Sequence, residues 1–229
     1  MEPIRILDIG DMQNGFMHEH GNLSIPGACD LIAPANAFLQ RVGDGFFDYT
    51  LIVLDTHFPE EYALSEESRS FPFHCEYGTN DWDLAIDTRG LPEVRYLMKN
   101  EFSMWSTKGK HELSFADPVS KAAYENLFYC IDTLHDPSER IPRDEFIRGI
   151  CPAGNPSVID VTLMGVASDY CNRYAMEGWL AYGARVTILE DLTRGIKKET
   201  RQVLAEDQYR RYAGRLRMVD SAEYLREHS

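Results

Sequence analysis

Short β-branched runs recurring between stretches of helical periodicity leave this chain few architectures. The runs are "IRILDI" (4–9), "TLIVL" (50–54), "EVRYLM" (93–98), "VIDVTLMGV" (158–166) and "RVTILE" (185–190), with "RMVD" (217–220) as a short edge strand. Helical patterns cover about 28–42, 118–134, 142–149, 169–182 and 197–213. Strands alternating with helices in this way pack as a parallel sheet covered by helices. The expected fold is therefore α/β, a three-layer sandwich with a mainly parallel central sheet flanked by helices. A chain of 229 residues can bury one substantial core, and a single domain over 1–229 is expected.

The stretch between about 106 and 156 is less regular and reads as an insertion of helix, loop and short helix. Asp117 followed by Pro118 resembles an N-cap and first helical residue. Val119, Ala123, Leu127, Ile131 and Leu134 would then share one face. A lid or an oligomer contact is the preferred account of this insertion, with a plain surface elaboration as the alternative, and a homo-oligomer is expected.

Hydrophobic content of 44% with 26% charged residues is ordinary for a soluble globular protein. No apolar stretch approaches the roughly 20 residues that cross a bilayer, and "MEPIRILDIGD" lacks the form of a signal peptide. A cytoplasmic location is the expectation. The net charge of −14 argues against nucleic acid and anionic membranes as partners. The five cysteines, Cys29, Cys75, Cys130, Cys151 and Cys171, are scattered and form no CxxC pair, so neither a zinc knuckle nor a disulfide framework is indicated.

Sites in open α/β sheets form beyond the carboxyl ends of the strands. After the first strand comes "DMQNGF" with Asp11, after the second "DTHF" with Asp55 and His57, after the third "KNEFSMW" with Lys99, and after the fourth "ASDYC" with Cys171. One rim thus receives an acid, a pair of metal-type ligands, a cation and a thiol. Ser168 or Asp169 could cap the following helix and place Cys171 in its first turn, where free N–H groups and the helix dipole favour a thiolate. The same N–H groups could receive an oxyanion. Asp11 could take the thiol proton and Lys99 could hold negative charge. Read singly, Cys171 is a small residue at a tight junction, Asp11 a turn residue and Lys99 a solvated charge. Asp55, His57 and His74, with Glu67 near in sequence, are donors suited to zinc, iron or manganese.

Together these residues resemble the isochorismatase-like cysteine hydrolase superfamily, and within it the nicotinamidase (pyrazinamidase) branch. The carriers are "DMQNGF", "DTHF" with "ESRSFPFHCEYGT", "KNEFSMW", "GVASDYC" and "EDLTRGI", in that order, across nearly the whole chain except about 106–156. The resemblance implies Cys171 as nucleophile, Asp11 as general acid/base and Lys99 as third member of the triad. It implies an oxyanion hole from the N–H groups of Ala167 and Cys171, with a cis peptide bond between Val166 and Ala167. It further implies a divalent metal ion on Asp55, His57, His74 and Glu67, and a substrate ring held between Phe16 and Phe71. The implied reaction is hydrolysis of nicotinamide, a small amide, to nicotinate and ammonia through a thioester.

The chain departs from the family pattern at Gly15, where an acid is usual, and at Met104 and Trp105. Other branches of the superfamily act on N-carbamoyl or ureido compounds with the same triad and without this metal set, and that is the alternative substrate class. A catalytically silent binding protein and a thiol sensor pairing Cys171 with Cys75 or Cys151 are the remaining readings.

Overall fold

The computed structural model describes residues 2–43, 45–107, 110–151 and 154–228. Among them, eight strands form one sheet: β1 (Ile4–Gly10), β2 (Tyr49–Asp55), β3 (Val94–Lys99), β4 (Tyr129–Ile131), β5 (Arg140–Pro142), β6 (Ile159–Val166), β7 (Arg185–Arg194) and β8 (Leu216–Val219). Their order is β5-β4-β3-β2-β1-β6-β7-β8. The six strands from β3 to β8 in that order run parallel, while β4 and β5 are antiparallel to their neighbours. The α-helices are α1 (Asn14–Met17), α2 (Ile32–Arg41), α3 (Pro59–Tyr62), α4 (Pro118–Glu125), α5 (Arg143–Gly149), α6 (Cys171–Tyr182), α7 (Thr200–Leu204) and α8 (Ser221–Glu227). No helix among the described residues is long and apolar enough to cross a membrane.

Helices cover both faces of the sheet, which is why the central strands read as apolar runs rather than as alternating ones. Leu7, Ile9, Ile52, Leu54, Met164 and Val166 pack into one layer with Phe38 and Leu39 of α2 and Tyr224 and Leu225 of α8. Ile6, Leu51, Val53, Val161 and Leu163 pack into the other with Phe146 and Ile147 of α5 and Met176, Trp179 and Leu180 of α6. The α/β sandwich with a mostly parallel sheet is the expected fold.

The segment 106–156 differs from its expected form. Asp117 does cap α4, accepting from the N–H groups of Val119 at 3.2 Å and Ser120 at 2.8 Å. The helix nonetheless stops at Glu125 instead of reaching 134. Phe128 takes φ 63° and donates its N–H to the Met98 carbonyl at 2.8 Å, and this turns the chain onto the edge of β3. Leu127 and Ile131 are buried as expected, but Ile131 is buried from a strand, whereas Val119 on the supposed apolar face is exposed. The insertion therefore widens the sheet by β4 and β5 as well as adding α4 and α5. The helix expected over 197–213 is likewise divided, into α7 and a 3₁₀ turn at Asp207–Tyr212.

Neither Ser168 nor Asp169 caps α6. Tyr170 holds the N-cap position without a side-chain bond. Asp169 is engaged elsewhere, its carboxylate accepting from the N–H groups of Ile196, Lys197 and Lys198 at 2.9, 2.8 and 3.0 Å. The Ser168 hydroxyl donates to the Lys198 carbonyl at 2.9 Å. These bonds tie the loop after β7 to the start of α6. The helix ends at Gly183, whose φ of 116° closes the last turn at little steric cost.

The departures at Met104 and Trp105 have a packing role. Met104 is buried among the residues beneath α6. Trp105 lies edge-on to Trp179 at 5.0 Å, with the Arg143 guanidinium 5.6 Å from its ring centre. Gly178 is the residue that admits it, because a Cβ there would fall inside the indole ring. A Gly178→Ala variant should lose about 1–3 kcal/mol to overpacking, more than the roughly 1 kcal/mol that alanine gains in a helix. Denaturant titration checks this, and a midpoint equal to or above that of the wild type contradicts it.

Candidate active site and metal centre

Strand register brings the sequence-predicted residues together. Gly10 pairs with Val53 on one side and Gly165 on the other, and Asp55 pairs with Lys99. The ends of β1, β2, β3 and β6 are therefore level, and the side chains carried at these four ends converge on one point. Asp11 leaves β1 with φ 52° and is held by its N–H donating to the Val53 carbonyl at 3.0 Å. Gln13 links the strand ends: its side-chain amide donates to the carbonyls of Asp55 at 2.9 Å and Trp82 at 2.8 Å, and accepts from the Asp55 N–H at 2.8 Å.

Lys99 is the hub. Its Nζ lies 3.0 Å from Asp11 Oδ2, 3.2 Å from Asp55 Oδ1 and 3.5 Å from Cys171 Sγ. The side chain is only 1% exposed, so water does little to screen these charges. Burial alone would lower the lysine pKa, but Asp11 and Asp55 outweigh it and keep the ammonium charged well above its ordinary range. Burial pushes the Asp11 carboxyl up to about 6, against the pull of Lys99. Burial works in the same direction on Asp55, but Lys99 and His57 hold that carboxyl well below the usual carboxylate range. Burial also raises the Cys171 thiol well above its ordinary value; Lys99 opposes the rise, while Asp11 and Asp55 add to it. The free protein thus holds a thiol beside a carboxylate, not the thiolate expected from the helix terminus alone.

The peptide bond between Val166 and Ala167 is cis. The Ala167 carbonyl accepts from the N–H groups of Tyr170 at 3.0 Å and Asn172 at 3.1 Å.

Asp55, His57, Glu67 and His74 are all buried, and one donor atom from each lies within 4.8 Å of all the others. Asp55 Oδ2 is 3.0 Å from His74 Nε2 and 3.4 Å from His57 Nε2. Glu67 Oε2 is 3.5 Å from His74 Nε2 and 3.7 Å from His57 Nε2. Ligand bonds of about 2.0–2.2 Å around a tetrahedral zinc ion leave donor atoms about 3.3–3.6 Å apart, so these spacings fit one ion. His74 Nδ1 lies 2.7 Å from the Pro72 carbonyl. Donation there would leave Nε2 as a lone pair turned to the cluster, the arrangement a metal-binding imidazole needs. His57 Nε2 is buried without a hydrogen-bond partner. Without an ion, the surrounding carboxylates offset burial and raise both imidazoles, His74 to about 9 and His57 well above its ordinary value.

Several contributors were not singled out from the sequence. Glu61 approaches His57 Nδ1 at 3.5 Å and accepts from the Asn100 amide at 2.8 Å and the Phe58 N–H at 3.4 Å. Its signal was the "FPEE" start of α3, where an acid at the third helical position reaches back to the N-cap. Tyr62 lies edge-on to His57 at 4.7 Å. Of the two expected ring contacts, Phe16 is buried edge-on to His74 at 5.3 Å. Phe71 instead meets Tyr170 at 5.2 Å and Phe102 at 5.9 Å. Tyr170 and Phe102 sit inside the "ASDYC" and "KNEFSMW" stretches. All five cysteines are unpaired.

No protein-family model matches the chain. It is 24% identical over 209 residues to a nicotinamidase/pyrazinamidase of Mycobacterium tuberculosis, covering 89% of this chain and 94% of that one. Among solved structures it is similar to the pyrazinamidase of Pyrococcus horikoshii in complex with zinc, with 20% identity, a TM-score of 0.62, and coverage of 95% and 99%. An isochorismatase-like hydrolase from Alkaliphilus metalliredigens superposes with a TM-score of 0.60 at 16% identity, with coverage of 98% and 99%. The chain therefore has the isochorismatase-like hydrolase fold, with nicotinamidase/pyrazinamidase homologues at low identity over nearly its full length.

Proposed function

We propose that the protein is a metal-dependent cysteine amidohydrolase that converts nicotinamide to nicotinate and ammonia. The observation that carries this reading is the placement of one buried ammonium, Lys99, within reach of Asp11, Asp55 and Cys171 beside a four-residue donor cluster. Asp11 accepts the proton of the Cys171 thiol, and Sγ attacks the carboxamide carbon. The resulting oxyanion is received by the N–H groups of Ala167 and Cys171. Asp11 then returns the proton to the leaving nitrogen, ammonia departs, and Cys171 holds a thioester. Asp11 next takes a proton from water, whose oxygen attacks the thioester carbonyl; the C–S bond breaks, the acid leaves, and Asp11 returns the proton to the Cys171 sulfur. Lys99 stays positive throughout and faces the anion on either Asp11 or Cys171.

Asp55, His57, His74 and Glu67 would hold a divalent ion such as zinc, iron or manganese, which when bound supplies a Lewis-acidic anchor for the ring nitrogen. Phe16 and Phe71 would flank the ring. The low-identity kinship with a nicotinamidase/pyrazinamidase supports nicotinamide over other small amides.

Purified protein loaded with metal should release ammonia from nicotinamide, and Cys171→Ala should abolish release. Absence of turnover by metal-loaded wild type overturns the reading. The rate on free enzyme, kcat/KM, should rise with pH through about 6 as Asp11 becomes the carboxylate base. Below that pH the base is protonated and the thiol keeps its proton, so the acid limb must disappear or move in Asp11→Glu. Elemental analysis should find one metal ion per chain and a large loss of it in His57→Ala and in His74→Ala, with cysteine alkylation by iodoacetamide still measurable. Turnover of an N-carbamoyl amide by metal-free protein would favour the alternative substrate class instead.

A further inference from the structure

One buried polar group beside the thiol has no part in that reaction. Asp8 lies in the middle of β1 and projects into the apolar layer beneath α6, where Trp179 Nε1 donates to its Oδ2 at 2.6 Å. The other oxygen, Oδ1, is buried without a hydrogen-bond partner. So are both polar atoms of the Asn172 side chain, one residue beyond the nucleophile, and Oδ1 of Asp11. Asp8, Asn172 and Asp11 line one cavity of about 10 Å³ together with Gly10, Lys99 and Cys171.

That volume is about the room one water molecule occupies, and a buried water is stable where it finds two to four polar partners. The backbone is shaped to bring those partners together. A Cβ at Gly10 would run into Asn172 Oδ1, so the glycine lets the amide come against β1. Three lining residues with unpartnered buried polar atoms, Asp8, Asn172 and Asp11, supply the two to four partners that one water molecule needs.

We propose that this cavity holds one ordered water molecule, bound by Asp8 and Asn172, that donates to Asp11 and fixes its carboxylate for proton transfer from Cys171. Asp8 and Asn172 are then positioning residues. The protonation of Asp8 is consistent with the arrangement: burial raises its carboxyl to about 7, Trp179 opposing and the Asp11 charge adding to the rise. A neutral Asp8 donates through Oδ1 to the water, which also accepts from the Asn172 amide and keeps its own protons for Asp11. The proposal rests on the amidohydrolase reading for its consequence in turnover, but not for the water itself.

The test is a high-resolution crystal structure of the wild type and of Asp8→Leu, Asn172→Leu and Asp8→Asn, with iodoacetamide alkylation of Cys171 followed at fixed pH. The wild type should show a water within hydrogen-bond reach of Asp8 and Asn172. Both leucine variants should lose it and alkylate about tenfold more slowly, as a misplaced proton acceptor implies. Asp8→Asn offers the same donor and acceptor as the neutral acid, and should keep the water and stay within about twofold of the wild-type rate. Nicotinamide hydrolysis should lose kcat in the leucine variants with KM unchanged. A dry cavity in the wild type overturns the proposal, as does a folded leucine variant that alkylates at the wild-type rate. If one leucine variant does not fold, the other still decides. Density and alkylation need no substrate, so failure of nicotinamide turnover would remove the proposed function and leave this result readable.

Discussion

A single buried ammonium organises the rim of this sheet. Two carboxylates that burial destabilises, Asp11 and Asp55, and the Cys171 sulfur all lie within 3.5 Å of Lys99 Nζ. Removing a partner from a buried charge typically costs about 3–5 kcal/mol, so none of the four can be understood alone. The strands supply the geometry for this: Lys99 is the last residue of β3 and sits opposite Asp55 in register. A slip of one residue between β2 and β3 would turn the lysine to the other face of the sheet and leave both acids buried without a cation.

Asp55 joins this cluster to the metal-type ligands by dividing its oxygens. Oδ1 faces Lys99, while Oδ2 faces His74 and His57. On the cluster side the charges do not balance within the protein if the imidazoles are neutral. Glu61 and Glu67 add two buried acids next to Asp55, and Lys99 is already shared with Asp11. Buried carboxylates beside Asp55 are stabilised by protonated imidazoles or by a bound cation, or else take up protons themselves. The histidine pKa values rise for this reason in the metal-free protein. A divalent ion meets the same requirement while leaving both rings neutral, and the Nε2 atoms of the two rings already face the shared point.

The parts of this arrangement that were legible in the sequence are those fixed by local pattern. β-Branched runs located the central strands, and their ends located Asp11, Asp55, His57, Lys99 and Cys171. Asp117–Pro118 announced the start of α4 by chemistry confined to two residues. The parts that were not legible depend on tertiary contacts. β4 and β5 are three residues long, too short for periodicity to show, and they exist because Phe128 turns the chain onto β3. Asp169 reads as a helix cap, yet the loop after β7 takes its carboxylate with three N–H groups. Asp8 sits inside an apolar strand with nothing nearby in sequence to mark it, since its partner Trp179 lies 171 residues away. Glu61 had a local signal, but its contacts with His57 and Asn100 depend on residues that follow β2 and β3 being brought beside it.

The protonation of Cys171 shows how magnitudes decide between two expectations. A helix N-terminus favours an anion by about 0.3–1 kcal/mol at the surface and up to about 2 when partly buried. Burial is the larger effect and disfavours the thiolate; Lys99 at 3.5 Å opposes it, while the Asp11 and Asp55 charges add to it, each unit charge at about 4 Å acting with about 4 kcal/mol at an effective dielectric near 20. The thiol is therefore the resting form in spite of the helix. That does not prevent its activation, because proton transfer to Asp11 moves negative charge from one neighbour of Lys99 to another. With the carboxylate at 3.0 Å and the sulfur at 3.5 Å, the change in attraction to the ammonium is only about 0.8 kcal/mol at the same dielectric. The total charge beside Asp55 is the same before and after. Lys99 thus adds only about 0.8 kcal/mol to the cost of moving the negative charge from Asp11 to the sulfur, and the rest of the barrier depends on how well Asp11 is aimed at the sulfur.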